Sequence, residues 1–190
     1  MYQKYSTDAL VLRSREQGEA DKVFALYTAD FGLVWARASS VRAESSKMRA
    51  ALQSCSRAQV SLVKGKRGWR LAGAVADVSA VSRNPASVAA FARAAELILR
   101  LVAGEERNQY LFDSLAEAQE ALYRDTTDAA SVEIVCVARI LFALGYLSAE
   151  ALETTLFAHT SYGLPHLEEA GQKKDALIAF INRAISETQL

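Results

Sequence analysis

Hydrophobic and polar positions alternate with a period of two over roughly the first 80 residues, then change to a helical period. DALVLRSR (8–15) sets Leu10 and Leu12 among polar or opposite-face neighbours, which predicts a half-buried strand. GEAD (18–21) reads as a turn, KVFALYT (22–28) as a second strand, and ADFG (29–32) as a second turn with glycine available for positive φ. LVWARAS (33–39) is a third strand, with Leu33, Trp35 and Arg37 on one face and Val34 and Ala36 on the other. A tryptophan at the centre of a strand is expected in the core. The next stretch, through Gln53, reads as a polar loop with a short helix at its end. RAQVSLVK (57–64), GKRG (65–68) and WRLAGAVAD (69–77) then form a hairpin. Five short strands, interrupted after the third, predict a small antiparallel barrel.

Beyond residue 84 the spacing is helical. Asn84-Pro85 suits a helix start, and Val88, Phe91, Ala95, Ile98, Leu99 and Val102 recur on one side up to Gly104. A second helix is predicted over 106–124. A third, over 129–144, is apolar on most faces and is therefore central to its neighbours; Gly145 ends it. Residues 148–157 read as a short helix, 159–166 as a loop and 172–188 as a last amphipathic helix. The expected class is α+β, with a barrel domain over 1–80 and a helical domain over 81–190, the switch falling near 78–85.

Charge changes the picture. The chain is neutral, yet residues 1–83 hold 14 Lys+Arg against 7 Asp+Glu, and residues 84–190 hold 8 against 15. Within 31–70 there are nine basic residues and one acid, Glu44. Such asymmetry points to a polyanion-binding half joined to something else. The candidates for contact are Arg37, Arg42, Lys47, Arg49, Lys64, Lys66, Arg67 and Arg70. Trp69 beside the GKRG turn is expected to offer a flat surface for a base.

Enzymatic chemistry finds no foothold in the residues. There is no GxxxxGK[ST], no GxGxxG after a strand and no GxSxG. His159 and His166 flank a loop without cysteine, which is not a metal-ligand spacing, and no cofactor or metal is expected. Cys55 and Cys136 stand far apart and read as reduced, buried thiols. The N-terminus reads as having no leader and the chain no bilayer span, so the expected address is the cytoplasm.

Residues 10–53 resemble the N-terminal domain of the RecO family of recombination mediators. The resemblance is carried by Arg13-Ser14, Gly18-Glu19-Ala20-Asp21, Thr28 to Gly32, and Ser46-Lys47 to Leu52-Gln53. Farther on, Glu106 to Phe112 looks like the family's E-x-N-x-x-L-F helix, and Ile140 to Tyr146 like its L-x-x-L-G-Y helix end. The resemblance implies an OB-fold followed by helices and binding of single- and double-stranded DNA. It also implies annealing of complementary strands at the nucleoid, and cooperation with RecR to help load RecA on DNA coated by single-stranded DNA-binding protein. By the same analogy, Arg93, Arg100, Arg107 and Arg139, taken as exposed, are expected to grip that protein's acidic tail. Two departures stand out. Many relatives carry a four-cysteine zinc hairpin after L-G-Y, whereas no cysteine follows Cys136 here; and Ser39 or Ser40 occupies the place of a family glycine. The chain is also shorter than is usual for the family. The residues alone leave two other readings open: an OB-fold adaptor for RNA or proteins, and a metal-dependent nuclease.

Overall fold

The computed structural model describes residues 3–43, 46–77, 84–124 and 128–187. Five strands, β1 (Lys4–Gln17), β2 (Asp21–Thr28), β3 (Gly32–Ala38), β4 (Arg57–Gly65) and β5 (Gly68–Ala76), close into a barrel in the order β1-β2-β3-β5-β4. All neighbours are antiparallel except β3 and β5, which is the OB-fold arrangement. Closure depends on β1, whose first half pairs with β4 and second half with β2, with a register shift between Val11 and Arg13. The pleat puts Ala9 and Val11 in the barrel interior with Phe24, Leu26, Val34, Ala36, Val60 and Leu62. Leu10 and Leu12 lie on the opposite side of β1 and are buried as well, so this strand is covered on both faces.

The segment read as a polar loop contributes to the core. Val41, Ala51 and Leu52 are buried in the barrel cluster, with Met48 packed against it. The main chain here runs in turns, with Ala51 N–H and Leu52 N–H both donating to the Met48 carbonyl. Cys55 N–H donates to the Val11 carbonyl and Val11 N–H to the Ser56 carbonyl, tying the segment to β1.

The family motifs have physical reasons here. Thr28 Oγ1 donates to the Gly32 carbonyl and accepts from Phe31 N–H, both at 3.0 Å, which holds the turn closed. Gly32 has φ +63°, and a Cβ there would lie 2.2 Å from the Glu106 carbonyl oxygen, so only glycine fits. The chain divides into two compact units. Met1–Val81 with Val102–Gln109 form one, and Ser82–Leu101 with Tyr110–Leu190 the other. The 102–109 strip thus belongs to the barrel's unit, and Leu33 N–H bonds the Gly104 carbonyl at 3.3 Å.

The helices are α1 (Pro85–Leu101), α2 (Gln109–Tyr123), α3 (Ala129–Ala143), α4 (Leu164–Gln172) and α5 (Lys174–Glu187). Asn84 caps α1 through Ala86 N–H, and residues 78–83 of the expected switch lie outside the described residues. Helices α1 and α2 stop and start short of the expected Gly104 and 106, because the intervening strip lies on the barrel. Asp128 caps α3. At its other end Tyr146 N–H reaches the Leu141 carbonyl and Gly145 N–H the Phe142 carbonyl, a Schellman motif with Gly145 at φ +81°. Helix α3 packs on α1, α4 and α5, as its all-round apolar pattern requires. Two expectations fail. Residues 148–157 contain only a single 3₁₀ turn, Glu150–Leu152, and the stretch from Leu164 is helical, with Gly163 at its N-cap and Pro165 in its first turn.

Arg139 is not a surface arginine. It is fully buried and donates to the carbonyls of Leu156 (2.9 Å), Thr160 (2.6 Å) and Ser161 (3.0 Å), with its guanidinium 4.5 Å from the Tyr162 ring centre. A single buried cation therefore gathers a segment that has no regular backbone bonding of its own.

Candidate nucleic-acid interface

Alternation along β3 turns Trp35 and Arg37 outward while Val34, Ala36 and Ala38 point in. β5 runs parallel to β3 with Arg70 opposite Arg37, so the two guanidinium-bearing positions are lateral neighbours. The β4–β5 hairpin ends at paired Gly65 and Gly68, the latter at φ +96°, which presents Lys66 and Arg67 at its tip. Arg15, from the far end of β1, completes the rim, its guanidinium 5.5 Å from the Trp35 ring centre. Together these side chains line a groove of about 810 Å³. It runs over β2 and β3 and up to the β4–β5 loop, the face on which OB-folds bind oligonucleotides.

Of the nine sequence candidates, Arg37, Lys66, Arg67, Arg70 and Trp69 border this groove. Trp69 does not offer the flat surface expected of it. It is 5% exposed, opposite inward-facing Ala36, and packs against Phe31 and Tyr5 at 5.1 and 5.7 Å between ring centres. Trp35, expected in the core, is 44% exposed. The shared parity of Trp35 with Arg37 marked a solvent face, and strand-centre position was the weaker signal. Arg15 was missed because its arginine lies far in sequence from the basic run.

Lys64 is engaged elsewhere. Its ammonium donates to Glu105 at 2.7 Å and lies 4.9 Å from the Trp69 ring centre. The Lys64 hydrogen bond, with the Trp69 indole nearby, holds the Glu105 carboxyl below its usual range. Arg37 donates through Nε to Asp21 at 2.9 Å, and Ser40 N–H donates to the same carboxylate at 2.8 Å. The Ser40 amide first, then Arg37, keep Asp21 ionised below the ordinary aspartate range.

Arg42 and Arg49 line a separate concavity of about 460 Å³ with Ser14, Glu16, Lys22, Gln53 and Ser54. Arg42 is 3.2 Å from Glu16. Lys47 is exposed and, among the described residues, lines neither concavity.

The thiols are buried, and burial pushes Cys136 up to about 12 and raises Cys55, so both are protonated and unreactive at neutral pH. The family's zinc hairpin does not fit this chain. The segment after Tyr146 has no thiol, and among the described residues no three His, Cys, Asp or Glu side chains gather to hold a metal. Among them, too, no helix is long and apolar enough to cross a membrane.

The family model for the N-terminal part of recombination protein O matches residues 1–73, and that for its C-terminal part matches residues 83–148. The DNA repair protein RecO of Dehalococcoides mccartyi is 33% identical over 120 residues, 62% of this chain and 47% of that relative. Those of Desulfitobacterium hafniense and Heliobacterium modesticaldum are each 44% identical over 62 residues, 33% of this chain and 23% of the relative. The matched stretches thus span about half or less of these relatives' length. With an OB-type barrel, a helical unit following it in the chain and both family models matched in that order, the chain belongs to the RecO family of DNA repair proteins.

Proposed function

We propose that the barrel binds single-stranded DNA along the 810 Å³ groove, with phosphates on Arg15, Lys66, Arg67 and Arg70, Arg37 held by Asp21 beside them, and a base stacked on Trp35. The observation that carries this reading is one exposed indole set among five cations on an OB-fold's ligand face. Binding lowers the charge repulsion between strands and leaves bases free to pair, so the chain anneals complementary DNA without a nucleotide triphosphate. Duplex DNA engages the same cations through its phosphates alone. Acting with RecR, the protein helps load RecA onto DNA coated by single-stranded DNA-binding protein. Within the helical unit the acidic tail of that coating protein is met by exposed Arg100, since Arg93 is paired with Glu133 and Arg139 is buried; Arg107 is exposed on the barrel's unit. No catalytic residue enters this scheme.

Tryptophan emission tests the site. Oligothymidine is expected to quench Trp35 and spare buried Trp69. Trp35→Ala is expected to weaken binding by about 1–3 kcal/mol, the usual worth of one base–aromatic stack. Lys66→Glu/Arg67→Glu/Arg70→Glu is expected to abolish the quenching of Trp35, and annealing with it, with the circular-dichroism spectrum intact. Undiminished annealing by that variant places the site elsewhere. Tighter binding of RNA than of DNA of the same sequence favours an RNA adaptor instead.

A further inference from the structure

The two concavities are related by the pleat of one ribbon. β1 and β2 pair with Ser14 opposite Phe24, Arg15 opposite Val23, and Glu16 opposite Lys22. Ser14, Glu16, Lys22 and Phe24 line the smaller concavity, whereas Arg15, Gln17 and Val23 line the larger. Successive residues of a strand point to opposite faces, so the concavities lie back to back across the β1–β2 ribbon.

We propose that the smaller, reverse concavity holds a second single strand of nucleic acid by its phosphates, so that one barrel carries two strands at once. The inference rests on the front groove being a single-strand site. Three observations support it. First, the reverse rim carries Lys22, Arg42 and Arg49 against Glu16, with Ser14, Gln53 and Ser54 as further donors. Arg42 is shared with Glu16 and the Gly18 carbonyl, but among the described residues neither Lys22 nor Arg49 is in an ion pair. Guanidinium forks and hydroxyls suit phosphate oxygens. Second, the floor is nearly closed to apolar partners. Phe24, Val41 and Leu52 are 1%, 3% and 5% exposed, which leaves no pocket for the hydrophobic anchor of an acidic peptide. Third, the concavities share a rim. Gln17 borders the front and Glu16 the reverse, and Ser39 borders the front and Val41 the reverse. Strands seated on the two faces therefore leave toward one edge. Separate cation sets keep two polyanions on one small body without their phosphates competing for the same charges.

Amide shifts of the full chain, labelled with nitrogen-15 and titrated with a short oligothymidine, test this. In Lys66→Glu/Arg67→Glu/Arg70→Glu the front amides are expected to fall silent while those of Ser14, Lys22, Arg49 and Ser54 still move. In Lys22→Glu/Arg49→Glu the reverse shifts are expected to vanish and annealing to slow at least ~10-fold, the front amides still responding. Front amides moving in the unaltered protein while reverse amides stay still overturns the second site and leaves the first. Reverse amides moved by an oligoglutamate peptide but not by the oligonucleotide overturn it in favour of a protein-docking face. Silence of both sets toward DNA overturns the front reading and this one with it.

Discussion

By the family resemblance Ser39 or Ser40 takes the place of a glycine, and of the two it is Ser40 that adopts a backbone conformation suited to glycine. Its φ is +55°, in the left-handed region that a side chain makes costly by roughly 1–2 kcal/mol. The structure holds it there through Asp21, whose carboxylate accepts from Ser40 N–H while also binding Arg37. Glycine would relieve the strain but loosen the unfolded chain, which returns part of the gain. Ser40→Gly is therefore expected to stabilise the barrel by about 0.5–1 kcal/mol, read as a Tm rise of about 1–4 °C. An unchanged or lower Tm means that the Ser40 conformation carries no strain. The exchange of roles between Trp35 and Trp69 belongs to the same scale. Both indoles were visible in the sequence, but burial depends on the parity of a residue relative to its partner strand, and for Trp69 that partner, Ala36, is distant in the chain.

Among the elements, the segment after α3 shows how a chain without the zinc thiols organises the same stretch. Three carbonyls that no helix or sheet would satisfy converge on the Arg139 guanidinium. Thr160 Oγ1 adds a bond to Glu117 on α2 at 2.6 Å. Removing the guanidinium leaves buried acceptors unpaired, each costing about 1–3 kcal/mol. Arg139→Met is therefore expected to destabilise the helical unit by about 3 kcal/mol or more, seen as a lower urea midpoint and lost amide protection over 156–162. Arg139→Lys keeps the charge but not the planar fork and is expected to fall between the two. Equal midpoints for all three proteins would show that the carbonyls find other donors.

At the scale of the whole chain, the charge division that opens the sequence becomes a salt dependence. Of the five front cations, Arg37 is tied to Asp21, which leaves about four for phosphates and predicts a logarithmic salt slope near −3 on single strands. Lys66→Glu/Arg67→Glu is expected to flatten that slope by about 1.4. A slope near zero in a salt titration of oligothymidine binding would mean that cations do not carry the affinity.

Much of the architecture was legible from local pattern. The two-residue period gave five strands, Asn84 and Gly145 marked two helix ends, and the all-round apolar run gave a central α3, because periodicity and capping act over a few neighbouring residues. Pairing and burial act between residues far apart. Only tertiary structure turned Trp35 outward and Trp69 inward, buried Arg139 under three carbonyls, laid 102–109 on the barrel and sorted one basic run onto two faces of a ribbon. The number and sign of the charges were set by the chain itself. Which of them share a surface was decided by the closure of the barrel, since a single residue of strand register moves a side chain from one face to the other.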